Sequence, residues 1–102
     1  MEVKEINNKE LKELVKNNKK VLVDCYAVWC GPCKMLSPII DQLAKEVEGT
    51  KFYKINVDED DEISDEYSIS SIPTLLFFED GKLKEQVVGL RSKDELLDII
   101  GE

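Results

Sequence analysis

The feature that most constrains the fold is a nearly continuous apolar run at residues 21–28, which is rich in β-branched side chains. A run of this kind predicts a strand that is covered on both faces, as in the centre of an α/β sheet. Helical and extended patterns alternate around it and predict the order β-α-β-α-β-α-β-β-α. This alternation implies a parallel core, and the last two strands must pair antiparallel. We therefore predict an α/β fold.

Local signals place the ends of the other elements. Asn7 or Asn8 is a candidate N-cap with Glu10 as its capping-box partner, and Ser92 with Glu95 forms a second such pair. Besides the central run, strands are predicted at residues 3–6, 52–57, 75–78 and 83–88.

The longest helix is predicted at residues 33–48, where apolar side chains keep helical spacing. Pro38 lies inside this helix and must remove one of its backbone hydrogen bonds. Gly49 is expected to end it. A short acidic helix is expected within residues 58–67 rather than a calcium loop, and residues 79–82 are expected to form an Asp-Gly hairpin turn.

Two cysteines follow the central run directly, in the motif Trp29-Cys30-Gly31-Pro32-Cys33. This spacing permits a disulfide when the backbone brings the two Cβ atoms to roughly 4 Å, as the first turn of a helix does. Pro32 fits a first turn because it has no N–H to leave unpaired. The N-terminus of a helix also favours a thiolate over a thiol. The hypothesis is an exposed nucleophile at Cys30 and a more buried partner at Cys33.

Other uses of these cysteines need residues that the chain lacks. A structural zinc site takes about four Cys or His ligands, whereas this chain has no histidine and only Cys25 as a further cysteine. The absence of histidine also excludes a Cys-His protease. Cys25 lies in the apolar run and is interpreted as a small buried hydrophobe; a regulatory oxidation site and a loss of core volume are the alternatives. We expect no metal site.

Composition limits the function classes further. The 102 residues are predicted to form one domain, residues 1–102, with a core large enough to be stable without structural disulfides or metals. The net charge of −8 argues against binding to nucleic acid or to anionic membranes. Residues 1–5 contain no apolar h-region, so we expect no signal peptide, and no apolar run approaches the ~20 residues of a membrane span. We therefore expect a cytoplasmic protein in a reducing compartment, where a C-x-x-C pair is more often redox-active than structural.

Asp24 is the only charged residue in the central run. A buried carboxylate is costly unless it is paired or protonated, so a raised pKa and proton transfer with Cys33 are the functional interpretation. The alternative is a strand register that turns Asp24 towards solvent. Lys54 is similarly unusual as a charged residue within its predicted strand at residues 52–57. The non-functional alternative is a lysine on an edge strand whose side chain reaches solvent.

The motifs together resemble the thioredoxin family over essentially the whole chain. They are Val23-Asp24, Ala27, Trp29-Cys30-Gly31-Pro32-Cys33-Lys34, Pro38, Lys54-Ile55-Asn56-Val57-Asp58, Ile72-Pro73-Thr74, Gly81 and Val88-Gly89. The resemblance implies a thioredoxin fold, with a central mixed sheet of five strands and four flanking helices. It also implies that the Ile72–Pro73 bond is cis and faces the cysteines.

The resemblance further implies the roles of the site residues. Cys30 attacks a protein disulfide and Cys33 resolves the mixed disulfide, with Gly31 and Pro32 between them in the form that thioredoxins carry. Asp24 matches the buried acid of the family, and Lys54 is placed near it. The substrate groove is expected to comprise Trp29, Ile72, Pro73, Val88 and Gly89. An extended substrate would lie against the backbone at Ile72. Core packing is the alternative for Val88, and a turn is the alternative for either glycine.

Three residues depart from the family pattern. Cys25 stands where relatives usually carry a large aromatic residue, and Tyr26 replaces their usual tryptophan. Val28 is apolar where many relatives are polar or acidic, which predicts a more apolar rim around the groove. None of the three touches the chemistry of the cysteines.

The predicted function is that of a protein-disulfide reductase and electron carrier without a bound cofactor. Its expected partners are a thioredoxin reductase and disulfide-containing clients of the ribonucleotide reductase, peroxiredoxin and methionine sulfoxide reductase types, all by resemblance. The chain is expected to act as a monomer. A disulfide isomerase or oxidant is one alternative, and a thioredoxin-fold binding module with an incidental cysteine pair is the other.

Overall fold

A computed structural model describes residues 3–102, and its elements follow the predicted order. They are β1 (Lys4–Glu5), α1 (Asn8–Asn17), β2 (Lys20–Tyr26), α2 (Gly31–Glu46), β3 (Thr50–Asn56), α3 (Asp61–Tyr67), β4 (Thr74–Glu79), β5 (Lys82–Val88) and α4 (Lys93–Ile100). The thioredoxin fold predicted above, with five strands and four helices, is confirmed.

The strands form a single mixed sheet in the order β1-β3-β2-β4-β5. Strands β1, β3 and β2 are parallel, whereas β4 pairs antiparallel with both β2 and β5. The apolar run therefore supplies the central strand, as its composition predicted. Because β2 is the central strand, its carboxyl end lies in the middle of the row of strand ends, and the cysteines follow it directly.

The two faces of the sheet have different covers. Leu22 points to the face that packs under α2 and α4, in a cluster that includes Leu36 and Leu96. Val23 points to the opposite face, which packs under α1 and α3. Because side chains alternate along a strand, Asp24 shares the face of Leu22, and Cys25 shares the face of Val23.

The helix starts follow the predicted capping chemistry. The side chain of Asn7 accepts a hydrogen bond from the backbone N–H of Glu10, and Glu10 bonds back to the N–H of Asn7. Ser92 and Glu95 form the same reciprocal pair before α4. Each cap of this kind is worth about 1 kcal/mol of helix stability.

Helix α2 departs from its prediction at its C-terminal end only. It begins at Gly31 with Cys30 at the N-cap position, so the first turn that the cysteine motif predicted is present two residues before the apolar spacing begins at Cys33. It ends at Glu46 with Val47 as C-cap, whereas Gly49 was expected to end it. The N–H of Val47 donates to the carbonyl of Leu43, and Gly49 supplies a positive φ of 88° only in the following turn.

The hairpin prediction is confirmed between β4 and β5. Asp80 and Gly81 both have positive φ, at 53° and 83°, as the tightest two-residue hairpin turns require. Asp60 caps α3 through a bond from the N–H of Ile63 and also accepts from the N–H of Asn8. One carboxylate thereby serves the first turns of two helices.

Candidate active site

The cysteine motif occupies the junction between β2 and α2. The N–H of Cys30 donates to the carbonyl of Ala27 and closes a tight turn after the strand. Gly31 and Pro32 are the first two helical residues, where the missing N–H of proline leaves nothing unpaired. Cys30 and Cys33 form a disulfide with their Cα atoms 5.2 Å apart, which lies within the usual range for such a bond.

The sulfur of Cys30 acts as the cap of α2. The N–H of Cys33 donates to Cys30 Sγ at 3.2 Å, in the geometry that a Ser or Asp cap oxygen would adopt. The unpaired N–H groups at this end of the helix place partial positive charge beside the sulfur. Reduction of the disulfide would therefore release a thiolate into a site that stabilises it.

Both cysteines are buried in this disulfide form. Cys30 is 4% exposed and Cys33 is 2% exposed, so the expected exposure of Cys30 is wrong for this state. The cause is packing that follows from the tertiary structure. Ala27 is buried with the pair, Ile72 packs against it, and Cys30 Sγ lies 3.8 Å from the carbonyl oxygen of Ile72.

The Ile72–Pro73 peptide bond is cis and lies next to the disulfide, as the resemblance implied. The N–H of Gly89 donates to the carbonyl of Pro73 at 2.8 Å, which brings the end of β5 to the same place. Pro73 itself is buried, whereas Ile72 is half-buried. At this turn, Ile72 is therefore more accessible to a substrate than Pro73.

Three large apolar side chains are exposed on segments that lead to the site. Val28 and Trp29, directly before Cys30, are 64% and 68% exposed, and Val88, at the end of β5, is 50% exposed. Half-exposure of Val88 argues against the alternative that it is only a core residue. Val28 is exposed, as a residue on the rim of a groove would be, and its place on a substrate groove stays a prediction.

Trp29 has a polar contact that the sequence analysis missed. Its indole N–H donates to Asp58 Oδ2 at 2.8 Å. Asp58 follows β3, which is parallel to β2, so the carboxyl ends of both strands meet at one sheet edge. The parallel pairing of β2 and β3 was therefore the signal from which this contact could have been predicted.

The two predicted site glycines differ in what they require. Gly89 has a φ of 96°, so its backbone conformation alone accounts for a glycine. A Cβ at Gly31 would meet no atom within 4 Å. If Gly31 is needed so that another backbone can come close, that backbone must belong to a partner molecule and not to this chain.

Asp24 is buried at 4% exposure, which excludes the solvent-facing register. Its Oδ1 atom has no hydrogen-bond partner among the described residues. Burial raises the pKa of Asp24 to about 7; the positive charge of Lys54 opposes this rise and the negative charge of Asp41 adds to it. The carboxyl group therefore exchanges its proton near neutral pH.

Lys54 is the register partner of Asp24 across the β2–β3 pair. Strand β3 lies between β1 and β2, so the alternative of an edge lysine does not apply. The ammonium Nζ lies 5.8 Å from the centre of the Tyr26 ring, within the usual range of a cation–π contact. Lys54 is half-buried, and its charge acts on Asp24 as described above.

Cys25 lies on the other face of β2 and is fully buried. Burial raises the pKa of its thiol far above the ordinary value, and the charges of Asp24 and Asp60 add to the shift. The interpretation as a small buried hydrophobe fits this position. Its thiol is neither exposed nor ionised at neutral pH.

Within residues 3–102, no cluster of three or more His, Cys, Asp or Glu side chains could hold a metal ion. In the same part of the chain, none of the helices has the length and apolar character needed to cross a membrane.

A disulfide that caps a helix at the carboxyl edge of an α/β sheet, beside a cis-proline, defines a class of protein that exchanges dithiols with disulfides. Comparison with known proteins agrees. The family model for thioredoxin matches residues 2–102. A thioredoxin of Mycoplasmoides gallisepticum is 48% identical over 99 residues, which cover 96% of this chain and 99% of that protein.

Solved structures give the same result. A mutant thioredoxin from Halobacterium salinarum has a TM-score of 0.89 at 40% identity, covering 96% of this chain and 86% of its own. A chain from a study of thiol resolution in a yeast mitochondrial 1-Cys peroxiredoxin, via glutathione and thioredoxin systems, has a TM-score of 0.89 at 32% identity. That match covers 97% of this chain and 93% of the other. The chain belongs to the thioredoxin family and is a thiol–disulfide oxidoreductase.

Proposed function

We propose that this oxidoreductase works in the reducing direction, on disulfides of other proteins. The observation that carries the proposal is the sulfur of Cys30 at the N-cap of α2, where the N–H of Cys33 donates to it. A site that stabilises the thiolate makes Cys30 a nucleophile at neutral pH, so that it can attack a client disulfide. The reducing direction is supported by Gly31 and Pro32, the pair that thioredoxins carry between their cysteines. Gly31 and Pro32 keep both cysteines within this first turn.

The exchange takes two steps. The Cys30 thiolate attacks one sulfur of the client disulfide, forms a mixed disulfide and releases the other client sulfur as a thiolate, which takes up a proton. Cys33, once deprotonated, attacks Cys30 Sγ and restores the Cys30–Cys33 disulfide. The bond between Cys30 and the client breaks, and the second client sulfur leaves as a thiolate that takes up a proton. The client leaves with two thiols, and the chain has given up two electrons and two protons.

Asp24 accepts the proton of Cys33 before the second step, directly or through one water. Support comes from its pKa of about 7, which allows it to take up and release a proton at neutral pH. It lies on the sheet face that packs under α2, the helix that carries Cys33. Lys54 tunes this acid through its charge.

The client lies across the rim formed by Trp29, Ile72, Pro73, Val88 and Gly89. An extended segment of the client runs along the backbone at Ile72, next to Cys30, and its apolar side chains contact Trp29 and Val88. The exposure of these two side chains beside a buried disulfide supports this arrangement. Clients with disulfides in extended, apolar segments fit best.

The chain needs no bound cofactor, because the Cys30–Cys33 pair itself carries the electrons. A thioredoxin reductase recharges it, and its clients include peroxiredoxins, ribonucleotide reductase and methionine sulfoxide reductases. The structural match from a study of a peroxiredoxin and thioredoxin systems supports the first of these clients. We further propose a monomer of one domain, residues 1–102, in the cytoplasm.

Trapping tests the assignment of the two cysteines. With Cys33→Ser, clients should accumulate as mixed disulfides on Cys30, because the resolving thiol is gone. With Cys30→Ser, reduction should cease, since the nucleophile is gone. If Cys33→Ser traps no client, a binding module with an incidental cysteine pair accounts better for the chain.

The redox midpoint of the cysteine pair tests the direction. Equilibration with a dithiol buffer should give a midpoint near the reducing end of the family range, about −270 mV. A midpoint well above about −200 mV would instead indicate an isomerase or an oxidant.

A further inference from the structure

Three charged side chains lie in one row across the sheet. Glu5 of β1 is the register partner of Lys54 in β3, and Lys54 is the register partner of Asp24 in β2. Register partners in neighbouring strands point to the same face, with their strands about 4.8 Å apart. Lys54 therefore has a carboxylate on each side, and either of the two could bind its ammonium group.

Tyr26 contacts two members of this environment. Its hydroxyl donates to Glu5 Oε1 at 2.6 Å, the short distance typical of a bond to a charged acceptor. Its ring lies 5.8 Å below the ammonium of Lys54. Within residues 3–102, the ion pairs shorter than 4.0 Å include neither Glu5 nor Lys54.

We propose that Tyr26 binds Glu5 through its hydroxyl and thereby keeps Glu5 from pairing with Lys54, so that the ammonium group stays available to Asp24. Tyr26 and Glu5 are then positioning residues for the proton transfer, acting through Lys54. The inference deepens the function proposed above, in which Asp24 takes the proton of Cys33.

The remaining neighbours of Asp24 leave Lys54 as its compensating cation. From α2, Asp41 adds negative charge, and from β4 the register partner is the apolar Leu75. Burial and the bond to Glu5 raise the pKa of Tyr26 above its ordinary range, and the charge of Glu59 adds to the rise. The Tyr26 hydroxyl therefore keeps its proton, and its bond to Glu5, throughout the pH range in which Asp24 titrates.

The test is a direct titration of the Asp24 carboxyl carbon by ¹³C NMR. The oxidised protein is used, because cysteines held in a disulfide do not titrate and cannot couple to the measured group. Tyr26→Phe keeps the ring under Lys54 and removes only the hydroxyl. Released Glu5 should then pair with Lys54, and the Asp24 midpoint should rise by roughly half a pH unit, about a threefold change in proton affinity.

A second substitution decides whether the effect runs through Glu5. In the double variant Tyr26→Phe, Glu5→Gln, no carboxylate remains to compete for Lys54, so the rise caused by Tyr26→Phe should vanish. The inference is overturned if Tyr26→Phe leaves the midpoint unchanged. It is equally overturned if Tyr26→Phe raises the midpoint as much with Glu5→Gln as without it, because Tyr26 would then act without Glu5.

Two matched controls separate this effect from general perturbation. Tyr53→Phe removes a tyrosine hydroxyl from the opposite face of the same sheet, and Glu85→Gln removes one negative charge from β5 at the far edge. Neither should move the Asp24 midpoint. A shift in the controls as large as that of Tyr26→Phe would refute a specific role for the Tyr26–Glu5 bond.

The rate of disulfide reduction against pH then separates the two proposals. If the Asp24 midpoint and the pH profile move together in Tyr26→Phe, both stand. If the midpoint moves while the profile stays, the positioning inference stands and the proton-transfer role of Asp24 fails. If the profile changes with a fixed midpoint, the positioning inference is the one that fails.

Discussion

Asp24 and Cys25 are consecutive residues of β2; both are buried and titratable, and they face opposite sides of the sheet. Burial raises the pKa of each. On the α2 side, Lys54 limits the rise, and Asp24 titrates near pH 7. On the α1 and α3 side, Cys25 sits in an apolar cluster with only negative charges acting on it, and it stays a thiol.

The difference shows that burial alone does not make a functional acid. Depth of burial is almost the same for the two residues, so the outcome depends on the ordinary pKa of each group, 3.8 for the carboxyl and 9.0 for the thiol, and on the charges around it. A nearby cation keeps the proton affinity of Asp24 within reach of neutral pH. The same strand thus has one face that can exchange protons and one that only packs.

The strongest way to break the comparison is to place a carboxylate on the packing face with Cys25→Asp. Among residues 3–102, the charges that act on this position are those of Asp24 and Asp60, both negative, so we expect a loss of roughly 4–7 kcal/mol of unfolding free energy at about pH 8. Part of the loss should return at about pH 5, where the new carboxyl group can stay protonated. Urea unfolding at both pH values checks this; a loss independent of pH would mean steric damage instead.

Asp24→Asn removes the carboxylate from the proton-exchanging face. Asp24 binds its proton more tightly folded, with a pKa of about 7, than unfolded, with an ordinary value near 3.8. Its contribution to unfolding free energy therefore falls as pH rises from about 4 to 7 and is constant above that range. The variant should lose this decline and gain on the order of 3–4 kcal/mol at about pH 8.

The same Asp24→Asn variant should also reduce disulfides more slowly near neutral pH, because Cys33 loses its proton acceptor. Thermal unfolding across pH and an insulin-type reduction assay are the two measurements. Parallel stability curves for both proteins would contradict the pKa of about 7, whatever the rate does.

Cys25→Ala tests whether the packing face contributes volume alone. The side chain is fully buried, so we expect a loss of roughly 1–2 kcal/mol from the cavity that its sulfur leaves. Neither the pH profile nor the reduction rate should change. A shifted profile would show that the two faces are coupled, contrary to the comparison.

Lys54→Gln removes the cation that limits the pKa of Asp24, and so should make the two faces of β2 more alike. Without the cation, the pKa of Asp24 should rise by roughly one pH unit, towards the value that burial alone dictates. The NMR midpoint of the Asp24 carboxyl carbon measures the change, and Lys51→Gln, an exposed lysine of the same strand, is the control. A fall in the midpoint would refute the assigned sign of the Lys54 charge.

Much of the fold was predictable because its signals are local. The capping boxes at Asn7 and Ser92 and the turn at Asp80 depend on residues within three or four positions, and all three are confirmed. The apolar run that becomes β2 predicted its own burial. The apolar spacing marks α2 only from Cys33, but the cysteine motif with Pro32 predicted the first helical turn that the structure shows from Gly31.

The errors and omissions at the site come from contacts between distant parts of the chain. Burial of Cys30 depends on Ile72, 42 positions later. The indole of Trp29, after β2, binds Asp58, which follows the neighbouring strand β3. The hydroxyl of Tyr26 meets Glu5 only because β1 joins β3 at the sheet edge. Sequence spacing carries no record of such pairs, which require the strand order and register.

The position of Trp29 determines what fluorescence can report about this protein. It is the only tryptophan of the chain, and it is already 68% exposed in the folded state. Its emission should therefore change little when the core unfolds, so that a melting curve recorded this way would understate the transition. The same signal should respond strongly when a client covers the indole or when the bond to Asp58 breaks. For this chain, tryptophan emission is a docking probe, and unfolding is better followed by circular dichroism.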